Sequence, residues 1–255
     1  MTTPVALTYN GFVTNLGLLA VYDTETVGGV VQGYDTNFNG IIPQAINYAE
    51  LRIQRDVNLL PAKTSNSYTT TANNGVLTVP VGDFVTIETL VVNGIPLTRT
   101  SMEFIQNVYG TGSTAAQPQW FADYGGDSAT GGNTSGLFLL GPIPDQAYAS
   151  TAVGMVRLPS LNANNTNPAA GTATTFISTF LPDLMLQAAM IYVSEFQRNW
   201  GSINNDPGMA MTYESSYGNL LKGAIVEEAR KRFQASAWSA NPPPPVATPN
   251  RQTGT

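Results

Sequence analysis

Apolar residues recur at helical spacing in the first part of the chain. A helix is predicted over residues 7–22, and residues 23–40, which are rich in Gly and Asn, are interpreted as a loop. A better helix is predicted over residues 42–60, because Pro43 suits a first helical turn and Pro61 ends the pattern. Its apolar positions are three and four residues apart: Ile46, Ala49, Ile53, Val57 and Leu60.

From residue 66 to residue 160 the apolar period changes to two, which favours strands. The runs VLTVP (76–80) and FVTIETLVV (84–92) are rich in β-branched residues, and Asn93-Gly94 after them predicts a tight hairpin. Residues 125–136 are low in complexity and are interpreted as a flexible, exposed loop. Four further strand-like runs are FIQNVYG (104–110), PQWFADYG (118–125), GLFLLGPIP (136–144) and AYASTAVGMVRLP (147–159).

Helical spacing returns at residue 181. Pro182-Asp183 begins a predicted helix that Gly201 would cap, and a last helix is predicted over residues 208–236. Near its end, Glu227 is four residues before Lys231 and Glu228 is four before Arg232, the favoured order for helical ion pairs. The helix 181–201 is expected to pack against the helix 42–60, more than about a hundred residues earlier, so that one helical bundle forms.

Residues 237–255 are an expected extended tail, because their prolines exclude a packed element. The predicted fold class is therefore α+β: a helical bundle interrupted by a β-rich, sandwich- or barrel-like insertion, followed by a Pro-rich tail. Four parts are predicted: residues 1–65 and 163–236 as the two halves of a helical domain, residues 66–162 as the insertion, and residues 237–255 as the tail.

Two residue types are missing from the composition. The chain has 255 residues with 0 Cys and 0 His, so disulfides, thiolate nucleophiles and the commonest general base and metal ligand are excluded. The composition still allows two kinds of site: a hydrolase site that uses only carboxylates, and a Ca²⁺ or Mg²⁺ site with oxygen ligands. We expect no enzyme activity, no cofactor and no metal.

The charges exclude two further classes. With 11 basic and 17 acidic residues the formal net charge is −6, which argues against a broad nucleic-acid-binding face. No apolar run approaches the about 20 residues of a membrane helix. The N-terminus lacks the basic and apolar regions of a signal peptide, so synthesis in a host cytoplasm is expected.

The order of short motifs resembles the head-to-tail connector adaptors of tailed bacteriophages. The match runs from about residue 42 to residue 236, and the pieces follow one another in a fixed order. They are Tyr48-Ala49-Glu50-Leu51-Arg52-Ile53, Val79-Pro80-Val81-Gly82-Asp83-Phe84, Pro118-Gln119-Trp120-Phe121 with Gly125, Leu140-Gly141-Pro142-Ile143-Pro144 with Tyr148, Leu158 to Leu161, and Leu181 to Ala188.

The resemblance implies a structural protein of the virion neck. It implies a homo-oligomeric ring, commonly a dodecamer, between the portal protein and the next tail component, with genomic DNA passing through the bore without specific binding. On this reading the tail and the basic cluster before it are the candidate portal-docking residues: Trp238, Pro242, Pro243, Pro244, Pro245, Arg230, Lys231 and Arg232. For the basic cluster, complementing the negative end of the helix is the default interpretation, and contact with an acidic patch of the portal is the second.

Three aromatic residues are candidates for the core or for an interface: Trp120, Phe121 and Tyr124. In a strand, Trp120 and Tyr124 would face one way and Phe121 the other. A sugar-stacking platform is the competing reading, and it belongs to the alternative function, a β-rich adhesin or carbohydrate-binding surface module. Gly126-Asp127-Ser128 resembles a lipase block but has no histidine to serve it, and Asp123, Asp127 and Asn133 lack calcium-loop spacing.

Overall fold

In the computed structural model the described residues are 6–80, 84–110, 114–127, 135–164, 171–197 and 207–235. Their elements make an α+β protein, as predicted. The helices of this part are α1 Tyr9–Ala20, α2 Thr36–Asp56, α3 Met102–Tyr109, α4 Phe176–Phe180, α5 Pro182–Gln197 and α6 Pro207–Ala235, with 3₁₀ turns Leu60–Ala62 and Leu161–Asn164. The strands are β1 Thr24–Val27, β2 Val30–Gly33, β3 Lys63–Thr69, β4 Val76–Val79, β5 Thr86–Val92, β6 Ile95–Pro96, β7 Thr98–Arg99, β8 Trp120–Asp127, β9 Ser135–Gly141 and β10 Ala149–Met155.

The helices α1, α2, α4, α5 and α6 and the hairpin β1–β2 form what we call the helical region. Helix α5 packs against α1, α2 and α6, which confirms the predicted contact between distant helices. The core lies around it and includes Phe12, Leu16, Ile42, Ile53, Met185, Ala188 and Tyr217, all essentially inaccessible to solvent. Apolar residues from both ends of the described chain therefore share one core.

The strands β3–β10 together with α3 form what we call the β region. One sheet has the order β3-β10-β5-β6 and the other has the order β4-β9-β8-β7. Residues from both sheets bury a second core, so the arrangement is an open sandwich rather than a closed barrel. This core contains Leu77, Val79, Ile87, Leu90, Val92, Leu97, Phe121, Phe138, Leu140, Tyr148 and Ala152.

Several predicted strands are confirmed. The runs at 76–80, 84–92 and 147–159 contain β4, β5 and β10, and the runs at 118–125 and 136–144 overlap most of β8 and β9. Asn93 and Gly94 have φ of 51° and 77° between β5 and β6, the left-handed pair that a type I′ hairpin turn requires. Gly154 is needed in β10, since a Cβ atom there would lie 2.2 Å from the carbonyl oxygen of Thr86.

The loop predicted over residues 23–40 is wrong. Strands β1 and β2 pair as an antiparallel hairpin around Gly28 and Gly29, whose φ values are positive. Helix α2 then begins at Thr36, because the Asp35 carboxylate accepts hydrogen bonds from the Asn37 and Phe38 amides. The polar residues of this stretch build a hairpin turn and a helix cap rather than a loop.

The predicted bounds of the second helix are also wrong. Pro43 lies inside α2 rather than in its first turn, and α2 ends at Asp56, before Leu60. The Asp35 cap fixes the start of the helix, and burial of Phe38, Ile41 and Ile42 offsets the cost of the interior proline. Pro61 lies in the following 3₁₀ turn, and β3 begins at Lys63, three residues before the predicted change of period.

The strand predicted at residues 104–110 is a helix. Ser101 accepts a hydrogen bond from the Phe104 amide and starts α3, which buries only Ile105. A short apolar run fits both the helical and the strand period, and the Ser101 cap favours the helix here. The predicted loop 125–136 is wrong at both ends, because β8 continues to Asp127 and β9 begins at Ser135. Residues 128–134, Gly201 and the tail 237–255 lie outside the described residues.

Candidate assembly surfaces

The chain passes between the helical region and the β region twice, and a buried carboxylate holds each crossing. On the way in, the Leu60 amide donates to Glu228 Oε2 of α6 at 2.9 Å. On the way out, the Leu161 amide donates to Glu50 Oε1 of α2 at 2.8 Å. The Leu158 amide donates to Gln54 Oε1 at 3.1 Å. We call these contacts the junction clamp.

The two crossings are also tied to each other, since the Val156 amide donates to the Ala62 carbonyl at 2.8 Å. Charge-assisted hydrogen bonds to backbone amides are among the stronger ones in proteins. Because three side chains from two helices hold the crossings, the β region has a fixed attachment to the helical region.

The two clamp carboxylates differ in their electrostatics. Burial raises the pKa of Glu50, and hydrogen bonds from Leu161 and Ser160 oppose the rise. Glu228 is equally buried, but Lys231 Nζ lies 2.8 Å from its Oε1. Glu228 therefore has a neutralising partner at its side, whereas the charge of Glu50 is compensated by neutral donors.

A second network joins α2 to α6. Arg52 forms an ion pair with Glu214. Its guanidinium also lies over the Tyr217 ring, 4.4 Å from the centroid, and the ring covers that face of the guanidinium. Arg52 Nη1 donates to the Tyr48 hydroxyl at 2.9 Å, and the Tyr217 hydroxyl donates to Asp56 Oδ2 at 2.7 Å. Burial, and then the bond to Asp56, raise the pKa of Tyr217. The network stiffens the face of α2 that faces α6.

A cleft of about 450 Å³ opens beside the junction clamp. Val57, Leu59 and Met155 contribute apolar lining, and the exposed Arg55 and Arg157 also line it. Neither arginine has an ion pair within the described part of the chain. The cleft is a cationic, partly apolar recess where the two regions meet.

The predicted basic cluster lies in the last turns of α6, and its members differ. Lys231 pairs with Glu227 at 2.7 Å, as predicted, and with Glu228. The predicted pair of Glu228 with Arg232 is wrong, since Arg232 instead donates to the Asn58 side chain. The carboxylate oxygens of Glu228 already accept the Leu60 amide and pair with Lys231. Arg230 is exposed, so of the three it is the one directed outward.

The predicted aromatic trio does not form one platform. Phe121 is buried in the core of the β region, and Trp120 is half-buried with its ring edge-on to Phe104 at 5.4 Å. A register shift between Asp123 and Gly125 breaks the alternation of β8, and Tyr124 is exposed. Trp238, Pro242, Pro243, Pro244 and Pro245 lie outside the described residues.

Sequence reasoning missed Glu50 and Glu228 as structural residues. Both stand at apolar positions of a helical pattern: Glu50 between Ile46 and Ile53, and Glu228 four residues after Ala224. A charged residue on a buried helical face is rare unless it is paired, and this was the available signal. Glu50 and Leu161 belong to two motifs of the phage-adaptor pattern, and the fold brings those motifs into contact.

Within the described ranges, no group of three or more His, Cys, Asp or Glu side chains is placed to hold a metal ion. None of the helices described is long and apolar enough to cross a membrane. The structural features that the described residues do show are two cores and a clamped junction between them.

The chain belongs to the SU10 adaptor protein family, whose model matches residues 19–245. This is a family of phage head-to-tail adaptors, so the resemblance seen in the sequence is confirmed and the chain is a structural adaptor of a phage virion. The matched range includes every described element except nearly all of α1. Comparison with curated proteins gives no match.

Proposed function

We propose that the chain forms a ring under the portal and joins the capsid to the tail around the DNA channel. Family membership supports an adaptor role, and the junction clamp is the structural observation that carries the proposal. A ring subunit has to hold neighbours on two sides while contacting different components above and below. Because the two regions of each subunit are rigidly attached, every subunit of the ring would present its contact surfaces in the same relative orientation.

We further propose a division into two domains, which is supported by the two separate cores. We assign residues 66–162 to an insertion domain and residues 1–65 and 163–236 to the helical domain. The ring is proposed to be a dodecamer that contacts the portal protein and the next tail component in the virion neck. Its net charge of −6 per copy disfavours a tight hold on DNA in the bore.

Electron microscopy of assembled necks tests the ring. Purified full-length chain is mixed with the portal ring of the same phage, and class averages are compared with those of the portal alone. We expect an added ring of density coaxial with the portal. A chain labelled with a small tag and found at the tail tip or on the capsid surface would contradict the neck position.

We also propose that the Pro-rich segment after α6 docks on the portal. Trp238 is the proposed anchor, because buried aromatics dominate such contacts, and Pro242 to Pro245 lower the ordering cost of the segment. Arg230 is a proposed contribution from α6, since Lys231 and Arg232 have partners within the chain.

Truncation tests the docking proposal. A chain ending at Ala237 should keep the circular dichroism spectrum and melting temperature of the full chain but bind portal rings at least about tenfold more weakly, the effect of about 1.4 kcal/mol. Trp238→Ala in the full chain is the matched point variant. Normal portal binding by the truncated chain would rule the segment out as the docking element.

The proposed role involves no catalysis and no cofactor. Stoichiometric binding of Zn²⁺, or turnover of esters or nucleotides above the buffer rate by the purified chain, would contradict this part of the proposal.

A further inference from the structure

Helix α6 carries an exposed stripe on the side opposite its buried face. Tyr217 and Ala224 face the helical core. Met211, Lys222, Ile225, Val226 and Ala229 are exposed and recur at helical intervals, so they share the other side; we call them the α6 stripe. Val226 is 49% exposed and Ile225 is 45% exposed. From Met211 to Ala229 the stripe is about 27 Å long at 1.5 Å per residue.

A second exposed apolar surface lies where α1 meets β1. Leu18 and Val21 are one helical turn apart and are 74% and 90% exposed. The Tyr34 amide donates to the Asp23 carbonyl at 3.0 Å, which brings a 72% exposed tyrosine to the same corner. We call this surface the α1 corner. It consists of Leu18, Val21, Asp23, Tyr34 and Asp35.

Val21 has a backbone conformation that its side chain disfavours. It is the C-cap of α1, with φ of 58° and ψ of 42°. This left-handed region suits glycine or asparagine, and for a β-branched residue it is an outlier that costs energy. The side chain points into solvent and covers no part of the core. A strained and exposed valine suggests a contact outside the single chain.

The two surfaces have opposite charge. The α1 corner carries Asp23 and Asp35, and the α6 stripe carries Lys222. Neither Asp23 nor Lys222 has an ion pair within the part of the chain that the structure describes. Helix α5 packs against both α1 and α6, so the two surfaces belong to two different helices with one common packing partner. One subunit thus offers a basic apolar surface and an acidic apolar surface.

We propose that the α1 corner of one copy binds the α6 stripe of the next copy, head to tail. The inference rests on the proposed ring, for which it names the contact between subunits. Two different complementary surfaces give a heterologous interface, and repetition of such an interface closes a ring. Apolar contact of Val21 and Leu18 with Ile225 and Val226 supplies affinity, and Asp23 beside Lys222 sets the register.

Cross-linking tests the interface directly, because the chain contains 0 Cys. Val21→Cys and Val226→Cys are made separately in full-length chains that carry different tags. They are mixed, with and without portal rings, and treated with a short bis-maleimide. We expect a covalent dimer that contains both tags. Val21→Cys mixed with Val85→Cys, at a comparably exposed position of the β region, is the matched control and should give none.

Each other product has a definite meaning. A dimer from Val226→Cys alone would show two α6 stripes packed on each other and would overturn the proposal. No mixed dimer under any condition, with rings seen on the portal by microscopy, would overturn this interface and leave the ring standing. No rings and no mixed dimer would overturn both. A mixed dimer that forms only when the chain ends at Ala237 would show that residues 238–255 cover the stripe in the longer chain, and would overturn the proposal.

Charge reversal and the strained valine give two independent measurements. Asp23→Arg or Lys222→Glu alone should lower the yield of mixed dimer at least about tenfold, and both changes in every copy should restore it. Val21→Gly should raise the melting temperature of the chain while it lowers association, because it relieves the backbone and removes the contact. A Val21→Gly chain that associates like the parent would show that the side chain is not part of the interface.

Discussion

The helical region and the β region build their cores from different stretches of the chain. The core of the helical region joins residues near Phe12 to residues near Tyr217. The core of the β region draws on residues between Leu77 and Ala152, within one continuous stretch. Contacts between distant segments cost more loop-closure entropy before they contribute any stability.

The buried charges follow the same division. Glu50 and Glu228 are buried in the helical region, whereas the buried polar residues of the β region are Thr70 and Ser150. The helical region places its buried carboxylates at the two crossings, where they accept backbone amides. The two buried carboxylates, which are the costliest polar groups to bury, therefore lie at the attachment between the regions, whereas the other buried polar residues are neutral hydroxyls.

The largest expected effect separates the two cores. Ile53→Asp puts an unpaired charge into the helical core and should cost several kcal/mol, enough to unfold that region. Val92→Asp should do the same in the β region. Hydrogen exchange measured peptide by peptide should show each variant losing protection mainly in its own region.

Two variants complete this comparison. Ile191→Asp should resemble Ile53→Asp, because α5 and α2 share the core. Ile53→Val is the matched mild change and should cost about 0.5–1.5 kcal/mol. If Val92→Asp removes protection from both regions at once, the two cores form one cooperative unit and do not unfold separately.

The next largest effect tests the junction clamp. Glu50→Leu leaves the Leu161 amide buried without an acceptor and should lower the free energy of unfolding by about 1–3 kcal/mol. Glu88→Leu, at an exposed carboxylate of β5, is the control and should change little. Equal effects of the two changes in urea denaturation would show that the clamp contributes nothing special.

The pH dependence of stability sharpens the same point. Burial raises the pKa of Glu50 above its ordinary value, so the stability it contributes is present at low pH and is lost as the pH rises through the raised pKa. Glu50→Gln does not titrate and can still accept the Leu161 hydrogen bond. The difference in unfolding free energy between this variant and the parent should therefore grow in favour of the variant between acidic and neutral pH. A constant difference would show that Glu50 does not titrate abnormally.

A smaller effect is expected at the network between α2 and α6. Arg52→Met removes the bonds to Glu214 and Tyr48 and the contact with the Tyr217 ring, and should cost about 1–2 kcal/mol. Arg52→Lys should recover only part of this, because an ammonium cannot reproduce the planar fork of the guanidinium. Thermal unfolding measures both variants, and full recovery by lysine would contradict the geometric argument.

The smallest effect belongs to the β region. Lys63 and Glu88 form an ion pair with both side chains nearly half-exposed, and such pairs contribute little. Lys63→Met should change stability by less than about 0.5 kcal/mol. The ratio of the Arg52→Met and Lys63→Met effects then measures how much more the helical region depends on polar contacts. A ratio near one would remove that distinction.

The sequence by itself determined the α+β class, the helices around Ile53 and Ile191, and the runs that become β4, β5, β8, β9 and β10. These elements have long apolar periods or strong turn residues such as Asn93-Gly94, and local energetics decide them. The order of short motifs was also enough to identify the family. Sequence-based prediction failed where elements are short. The α3 run fits either period and is fixed as a helix by the Ser101 cap, and the hairpin β1–β2 packs against α1 and α2.

Only the tertiary structure decided how the parts are joined. Leu161 bonds to Glu50 and Leu60 bonds to Glu228 across more than a hundred residues, and no local pattern encodes such a pair. The partner of Glu228 was predicted from helical spacing as Arg232, but the packing of α6 beside the 3₁₀ turn at Leu60 gave that carboxylate a buried amide and Lys231 instead. Burial decides such choices, because a buried donor without an acceptor costs more than an exposed ion pair contributes.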